Sequence, residues 1–359
     1  MSALEIQGQT LNSYFQLGCM NLAPQVLIDR ILGNEKKYNE IRKLKVIIID
    51  EGSMLNVHVF YFLDRMLRVI CQCNKTFGGI RLVLFGDFMQ LPPIENGERF
   101  RYIFEMELWQ VLQREGLEVI NLKKGWRYPR VAWFKLLKRI RDNSFCLDDI
   151  DVLKKRIFTK MELSHILFER GLTPTYIFGR KSKVKALNKK KLNDLDGVTF
   201  FYPHLDKRGV VVEGRRLRRM EYEIGHGALQ VKLGAQVMLT INSYKEEFKV
   251  ANGSVGKVLS CEEKNIVVKF KSGNVKINYY TSDEGVFMPL ILSWAITSHK
   301  CQGKTLECII TELSMNQVWS ASQAYVVLSR CVRLENVFLS KFDVERITVN
   351  PRAYAFTKW

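Results

Sequence analysis

Lys45-Val46-Ile47-Ile48-Ile49-Asp50-Glu51 and, further on, Arg81-Leu82-Val83-Leu84-Phe85-Gly86-Asp87 are the stretches from which the fold is read. Each is a short apolar run that ends in a carboxylate. Runs without polar alternation predict strands buried on both faces of a parallel sheet. Between them Val59, Phe62, Leu63, Met66, Leu67 and Ile70 recur at helical spacing, so residues 57 to 71 are expected to form the crossover helix a parallel pair requires. Open sheets of this kind bind ligands beyond the carboxyl ends of their strands, where Asp50, Glu51 and Asp87 stand.

Outward from that core, 359 residues are too many for one ordinary domain and imply two or three. A composition of 47% hydrophobic and 26% charged residues excludes a disordered or fibrous chain. The longest apolar run, Val286 to Ile296, is too short to cross a bilayer, and residues 1–24 lack the basic and apolar regions of a secretion signal. Eight cysteines without a Cys-x-x-Cys pair or a histidine cluster fit a reduced, intracellular chain, and no structural metal is expected.

The texture changes near residue 198. Gly234 to Thr240, Val255 to Leu259, Ile266 to Phe270 and Val275 to Tyr279 are short, rich in Val and Ile, and separated by Asn252-Gly253 and Ser272-Gly273-Asn274. They predict an antiparallel meander or small barrel. After Pro289 the α/β pattern returns with strands at Leu290 to Ile296 and Glu307 to Thr311 and a helix from Ala321 to Cys331.

Charge supplies the first functional clue. The net charge is +18, and it is concentrated. Residues 123–141 hold eight Lys/Arg and no acid, and residues 180–219 hold thirteen against four acids. A polyanion is the economical partner, nucleic acid before membrane, because neutralised phosphates release counterions; two solvated helical faces are the alternative. Trp126, Tyr128, Trp133 and Phe134 interleave with the first basic window, where bases can stack. Leu136, Leu137 and Ile140 share their helical spacing, so core packing is expected for most of these rings.

Asp50-Glu51 after a hydrophobic strand has the form of a Walker B element, in which the first acid holds Mg²⁺ and the second polarises a water for attack on a γ-phosphate. Read alone, the pair leaves a strand ending in solvated acids as the lesser alternative. The loop Gly86-Asp87-Phe88-Met89-Gln90-Leu91-Pro92-Pro93 adds a polar Gln at the next strand end, where it can sense the same phosphate.

With these residues in view, the chain resembles the Pif family of 5′-to-3′ DNA helicases, relatives of RecD. Residues 78–94 resemble its motif III and residues 49–55, from Ile49 to Leu55, its motif II. Residues 6–15 resemble motif Ia, with Asn12 where the family usually has His; residues 121–128 resemble motif IV, with Tyr128 where Gln is usual. Thr297 to Leu306 resembles motif V, and Ser322 to Arg330 motif VI. These motifs occur in family order and cover nearly the whole chain.

The resemblance implies a P-loop NTPase fold of the α/β class: two RecA-like domains, the first incomplete, with a small SH3-like β-barrel insertion. The expected parts are 1–121 (motifs Ia, II, III), 122–197 (motif IV), the insertion 198–289, and 290–359 (motifs V, VI). By resemblance Asp50 binds Mg²⁺, Glu51 is the catalytic base, Gln90 contacts the γ-phosphate, and Gly303 lines the ATP site. Arg127 and Arg330 reach that phosphate from the opposite domain as arginine fingers. Thr10, Thr297, His299 and Lys300 lie along single-stranded DNA. The location implied is intracellular and, for a cellular protein, nuclear, with single-stranded and forked DNA as partners and no membrane.

One element is absent. Gly256-Lys257 and Gly303-Lys304-Thr305 are the two Gly-Lys pairs, and neither belongs to a Gly-x4-Gly-Lys-Ser/Thr loop. In the family that loop precedes motif Ia. The expectation is an ATP-dependent helicase that needs an N-terminal P-loop segment to turn over, with a non-catalytic DNA-binding or regulatory relic as the alternative. The missing strand would also leave residues 82–85 with an unpaired apolar edge.

Overall fold

The computed structural model describes residues 8–17, 23–93, 100–215, 217, 227–241, 250, 252–282 and 285–358. Ile6 and Gln7 of the motif Ia segment, Ile94, and Arg216, Arg218 and Arg219 of the second basic window lie outside the described residues. The chain divides into two compact units.

One unit comprises Gly8–Lys155, Val318–Leu334 and Asp343–Trp359. At its centre Val46–Ile49 (β1) pairs in parallel with Arg81–Leu84 (β2), Ile47 opposite Leu82 and Ile49 opposite Leu84. Helix Val57–Cys71 connects them as expected. Asn56 starts it by accepting the His58 amide at 2.7 Å, and Gln72 ends it in the left-handed region. Its Phe60, Leu63, Met66, Leu67 and Ile70 are buried. The buried Asp64 of the same helix takes the Phe77 amide at 2.7 Å and Arg68 Nε at 2.8 Å, which fixes the turn leading into β2.

Both strands were expected to be covered on both faces, and only one face is. Ile47, Ile49, Leu82 and Leu84 join the core of helix Val57–Cys71, whereas Val46 and Ile48 alternate to the opposite side. Ile48 is 59% exposed and Phe85, just after β2, is 48% exposed. Among the described residues no element closes this face.

The second helix of consequence here is Val131–Arg141, in the first basic window. Trp133, Leu136, Leu137 and Ile140 are its buried stripe; of the interleaved aromatics Trp133 is core, while Tyr128 and Phe134 are half-buried, so core packing claims fewer of these rings than expected. Trp133 Nε1 donates to Cys331 O at 2.9 Å, and Phe134 stacks on Tyr128 with centroids 5.8 Å apart. Trp126 differs: it is 82% exposed, with Lys124 Nζ 3.7 Å from its ring centre.

The other unit comprises Arg156–Gln317 and Glu335–Phe342 among the described residues. Its strands are Thr175–Phe178 (β3), Phe200–Tyr202 (β4), Leu229–Val231 (β5), Gln236–Leu239 (β6), Val255–Cys261 (β7), Asn265–Phe270 (β8), Gly273–Asn278 (β9), Tyr280–Ser282 (β10), Gly285–Phe287 (β11), Leu290–Leu292 (β12), Ala295–Thr297 (β13), Ile309–Leu313 (β14) and Val337–Phe342 (β15). Strands β13, β3, β14 and β15, in that order, form an all-parallel sheet. Strands β12, β6, β7, β8 and β9 form the expected antiparallel meander.

The run from Leu290 to Ile296 is not one strand. It breaks at Ser293, whose amide bonds Gln236 O at 2.9 Å, so β12 closes the meander while β13 enters the parallel sheet. The helix expected from Ala321 to Cys331 is confined to Gln323–Leu328. Helix Lys181–Asn193 carries six lysines and buries little beyond Asn188 and Leu192. Asn188 anchors it, accepting the Ala295 amide at 2.8 Å and donating to Ala295 O at 3.0 Å. No helix among the described residues is long and apolar enough to cross a membrane.

The loops after β1 and β2 approach backbone to backbone. Phe85 N donates to Ile49 O and Gly52 N to Phe85 O, each at 2.7 Å, which extends the ladder past the strands. A Cβ on Gly86 would stand 2.9 Å from Gly52 N and 3.0 Å from Ser53 N. Gly86→Ala is therefore expected to lower unfolding stability by about 1 to 3 kcal/mol in urea titration, the usual cost of overpacking; a loss below about 0.5 kcal/mol would show that the two loops are not in register.

Candidate functional site

Asp50 and Glu51 leave β1 at its carboxyl end. Glu51 sits in the left-handed region, φ 56° and ψ 40°, with its amide 2.9 Å from Asp50 Oδ1. A non-glycine residue held there is strained, and such strain concentrates at functional positions.

The second loop is built around Asp87. Its Oδ1 accepts the Met89 amide at 3.1 Å and its backbone carbonyl accepts the Gln90 amide at 2.8 Å. That tight turn presents Gln90, whose Oε1 is buried without a hydrogen-bond partner. The same Asp87 is gripped by both arms of Arg141, Nε at 2.9 Å and Nη2 at 2.8 Å, and Tyr325 Oη lies 3.4 Å from Oδ2.

Tyr325 belongs to helix Gln323–Leu328, which leads to Arg330. Arg330 is 2% exposed. Its Nε donates to Val326 O at 2.9 Å and its Nη2 to Ser329 Oγ at 2.8 Å, while Nη1 is buried without a partner. Tyr128 Oη donates to Ser329 O at 2.9 Å and is hydrogen-bonded to the Arg127 side chain. Burial pushes the Tyr128 phenol up against the lowering effect of Arg127 and Arg330, so it stays a neutral donor.

Asp50, Glu51, Gln90, Arg127 and Arg330 thus lie in one compact unit, linked through Gly52, Gly86, Asp87, Tyr325 and Tyr128. The two arginines were expected to come from an opposite domain. The segments bearing them lie in the same compact unit as Asp50 and are joined to the Asp87 loop by the Asp87–Arg141 pair and to each other by the Trp133–Cys331 bond. Asp50 offers one carboxylate at a strand end, the acid count Mg²⁺ takes when phosphates and waters complete its shell. The unsatisfied Gln90 Oε1 and Arg330 Nη1 fit a site for a polar, anionic group. Sequence reasoning passed over Arg141 and Tyr325, because a cation at the end of a basic window and a tyrosine inside a motif carry no local signal of a shared partner.

Gly303, assigned to the ATP site, lies in the other unit at φ 73° after helix Ser298–Cys301. Thr297, His299 and Lys300 are in that unit too, whereas Thr10 lies beside Asp50's unit core, its carbonyl accepting the Tyr14 amide. Thr297 caps helix Ser298–Cys301 through the Lys300 amide at 3.3 Å. His299 and Lys300 are both lowered, first by burial and then by the charge of Lys181. Lys304 is lowered by burial and by Lys300 in turn, with Cys301 acting the other way. The lysine stem also runs across Gly253: a Cβ there would fall 1.7 Å from Lys304 Nζ. Cations crowded in this way are held at a cost that an anionic backbone relieves. Sequence spacing did not single out Lys181 or Lys304.

Residues 1–163 match the family model described as PIF1-like helicase. Along its full length the chain is 29% identical to the ATP-dependent DNA helicase PIF1 of Danio rerio, and over 99% of its length 28% identical to that of Homo sapiens. These matches cover 56% and 55% of the two relatives, so the chain spans about half their length. Among solved structures it is similar to the crystal structure of Pif1 helicase from Candida albicans, with 26% identity, a TM-score of 0.81, and 99% of this chain and 86% of that one covered. A structure described as the basis for DNA unwinding at forked dsDNA by two coordinating Pif1 helicases matches at 25% identity with a TM-score of 0.72, covering 99% and 83%. The fold is accordingly the RecA-like P-loop NTPase fold of the Pif1 helicases. By family model over residues 1–163, by similarity along its length and by fold, the chain is similar to the PIF1-like helicases.

Proposed function

We propose that this chain is the motor part of an ATP-driven helicase that moves 5′-to-3′ along single-stranded DNA and opens forked duplex ahead of it. In this reading 1–121 is an incomplete first RecA-like domain, 122–197 and 290–359 form the second, and 198–289 is an SH3-like insertion. The observation that carries it is the presence, in one compact unit, of the Asp50-Glu51 strand end and of two buried, unsatisfied groups, Gln90 Oε1 and Arg330 Nη1. Relatives described as ATP-dependent DNA helicases, and one seen at forked DNA, support the substrate class.

When bound, Mg²⁺ would neutralise phosphate charge and ATP would supply the γ-phosphoryl group. Asp50 would hold the metal, and Glu51 would take the proton of the attacking water. Gln90 orients that water or the phosphate edge. Arg330, with one guanidinium nitrogen dehydrated and unbonded, donates to charge that grows in the transition state, where such a donor counts most. Arg127, exposed and hydrogen-bonded to Tyr128, adds a second cation. Thr10, Thr297, His299 and Lys300 contact the strand, with the lysines of helix Lys181–Asn193 lending long-range attraction.

We further propose that a Gly-Lys-Ser/Thr loop is supplied by a strand seated at the open edge of β2, beside the bare face of β1 and β2. Ile48 and Phe85 are exposed there, and in the same unit Val119, Ile120 and Leu122 lie in an irregular segment at 66%, 78% and 80% exposure. Apolar surface of that extent invites a strand to cover it.

The test is ATP hydrolysis by the chain alone and with a strand, P-loop and helix polypeptide added. Hydrolysis is expected only in the mixture, and only with single-stranded DNA. Within it, Glu51→Gln abolishes turnover but keeps ATP binding, and Arg330→Ala lowers kcat by about 10³-fold. If both pieces fold and associate yet nothing is hydrolysed, the chain is a DNA-binding module; hydrolysis indifferent to DNA would place it with unrelated NTPases. A separate outcome concerns Glu51: replacing it with Gly should stabilise the chain by up to about 1 kcal/mol while removing turnover, because Gly adopts the left-handed region without strain. A Glu51→Gly variant less stable than the parent would contradict the strain at this position.

A further inference from the structure

Asp87 has two occupations at once. Within its own loop it holds the Met89 and Gln90 amides, and so sets where the Gln90 side chain leaves the backbone. Outward, it is the common partner of Arg141 and Tyr325. These two reach it from elements that are fixed to Arg330 by separate routes. Tyr325 lies on the helix whose Val326 carbonyl binds Arg330 Nε. Arg141 ends a helix whose first turn is bonded, through Trp133 Nε1, to the carbonyl of Cys331, the residue after Arg330.

We infer that Asp87, Arg141 and Tyr325 are a positioning latch, which holds the Gln90 loop in register with the Arg330 segment so that both present their unsatisfied groups together. The proposal rests on the phosphate-contact reading of Gln90 and Arg330, but the latch itself is a matter of geometry. A planar guanidinium on both carboxylate oxygens fixes angle as well as distance, which a lysine does not do. The pair is largely out of water, with side-chain exposures of 25% for Arg141 and 19% for Asp87. Arg141 also bonds Asp142 at 2.7 Å through its third nitrogen, which leaves the fork facing Asp87 no freedom to turn. Burial and the Asp87 carboxylate both push the Tyr325 phenol up, so its hydroxyl remains the donor of the third contact. Burial works against the charge of Arg141, and Asp87 outweighs it.

Hydrogen–deuterium exchange on the 359-residue chain, without nucleotide or DNA, tests the latch separately from the ATPase reading. In Arg141→Ala, amides of 87–91 and of 325–331 are expected to exchange about tenfold faster, with the meander 255–278 unchanged. Arg141→Lys should restore part of that protection. The double variant Asp87→Asn with Arg141→Ala should exchange no faster than the faster single variant, because the two changes break one contact. Should Arg141→Ala unfold the unit, Tyr325→Phe carries the decision, since it removes a hydroxyl alone: acceleration at 87–91 with an unchanged melting temperature supports the latch. Unchanged exchange at 87–91 in Tyr325→Phe and in any folded Arg141 variant overturns it. Failure of the chain to hydrolyse ATP after completion would count against the motor reading and leave the exchange result standing.

Discussion

The parallel pairing of two four-residue strands governs where every proposed phosphate-facing side chain stands in this protein. Two amides beyond the strands, those of Phe85 and Gly52, continue the ladder and pull the loops after β1 and β2 against each other. That contact leaves room for no side chain at Gly86 and obliges Glu51 to take a left-handed backbone. The acids of one loop and the Gln90 turn of the next become neighbours for this reason alone. Everything more distant is added through Asp87, which converts a loop position into a branch point for Arg141, Tyr325 and, through them, Arg330.

Electrostatics divide the molecule's work in two. In the unit of Asp50 three arginines are paired with partly buried carboxylates: Arg141 with Asp87, Arg139 with Asp149, Arg352 with Glu105. Such pairs add little net stability when exposed but fix geometry when partly buried. In the unit of Lys300, Lys181, Lys300 and Lys304 are packed within reach of each other's fields, and burial lowers Lys300 and Lys304 further. A site of the first kind suits a small ligand whose position must be exact to a fraction of an ångström. A site of the second kind suits a long polyanion gripped by its backbone.

Much of this was legible in the residue order. Helix Val57–Cys71 has the bounds its periodicity predicts, and the meander strands lie within a residue or two of their apolar runs. Two features were not. The run from Leu290 to Ile296 is apolar but for Ser293, and it divides between two sheets because its first half pairs with β6, as far as the Ser293 amide on Gln236, and its second half with β3, a tertiary effect invisible to hydropathy. The strands β1 and β2 read as doubly covered because pattern reports what a strand is suited to, while Ile48 at 59% exposure reports what the described elements supply. For the site, the acids, Gln90 and Arg330 carried local signals or resembled a motif. Arg141 and Tyr325 carried none, since their meaning lies in a shared contact with Asp87 across a long sequence separation.

The proposed convergence of Asp50, Glu51, Gln90, Arg127 and Arg330 on one phosphate is tested most directly by a crystal structure of the chain, joined to a P-loop segment, with Mg²⁺ and ADP-aluminium fluoride. The account predicts the metal on Asp50, and Gln90, Arg127 and Arg330 at hydrogen-bond distance from the fluoride, with Glu51 beside the water in line. A nucleotide bound elsewhere, or one in this position with Gln90 and Arg330 still unbonded to it, would contradict the account.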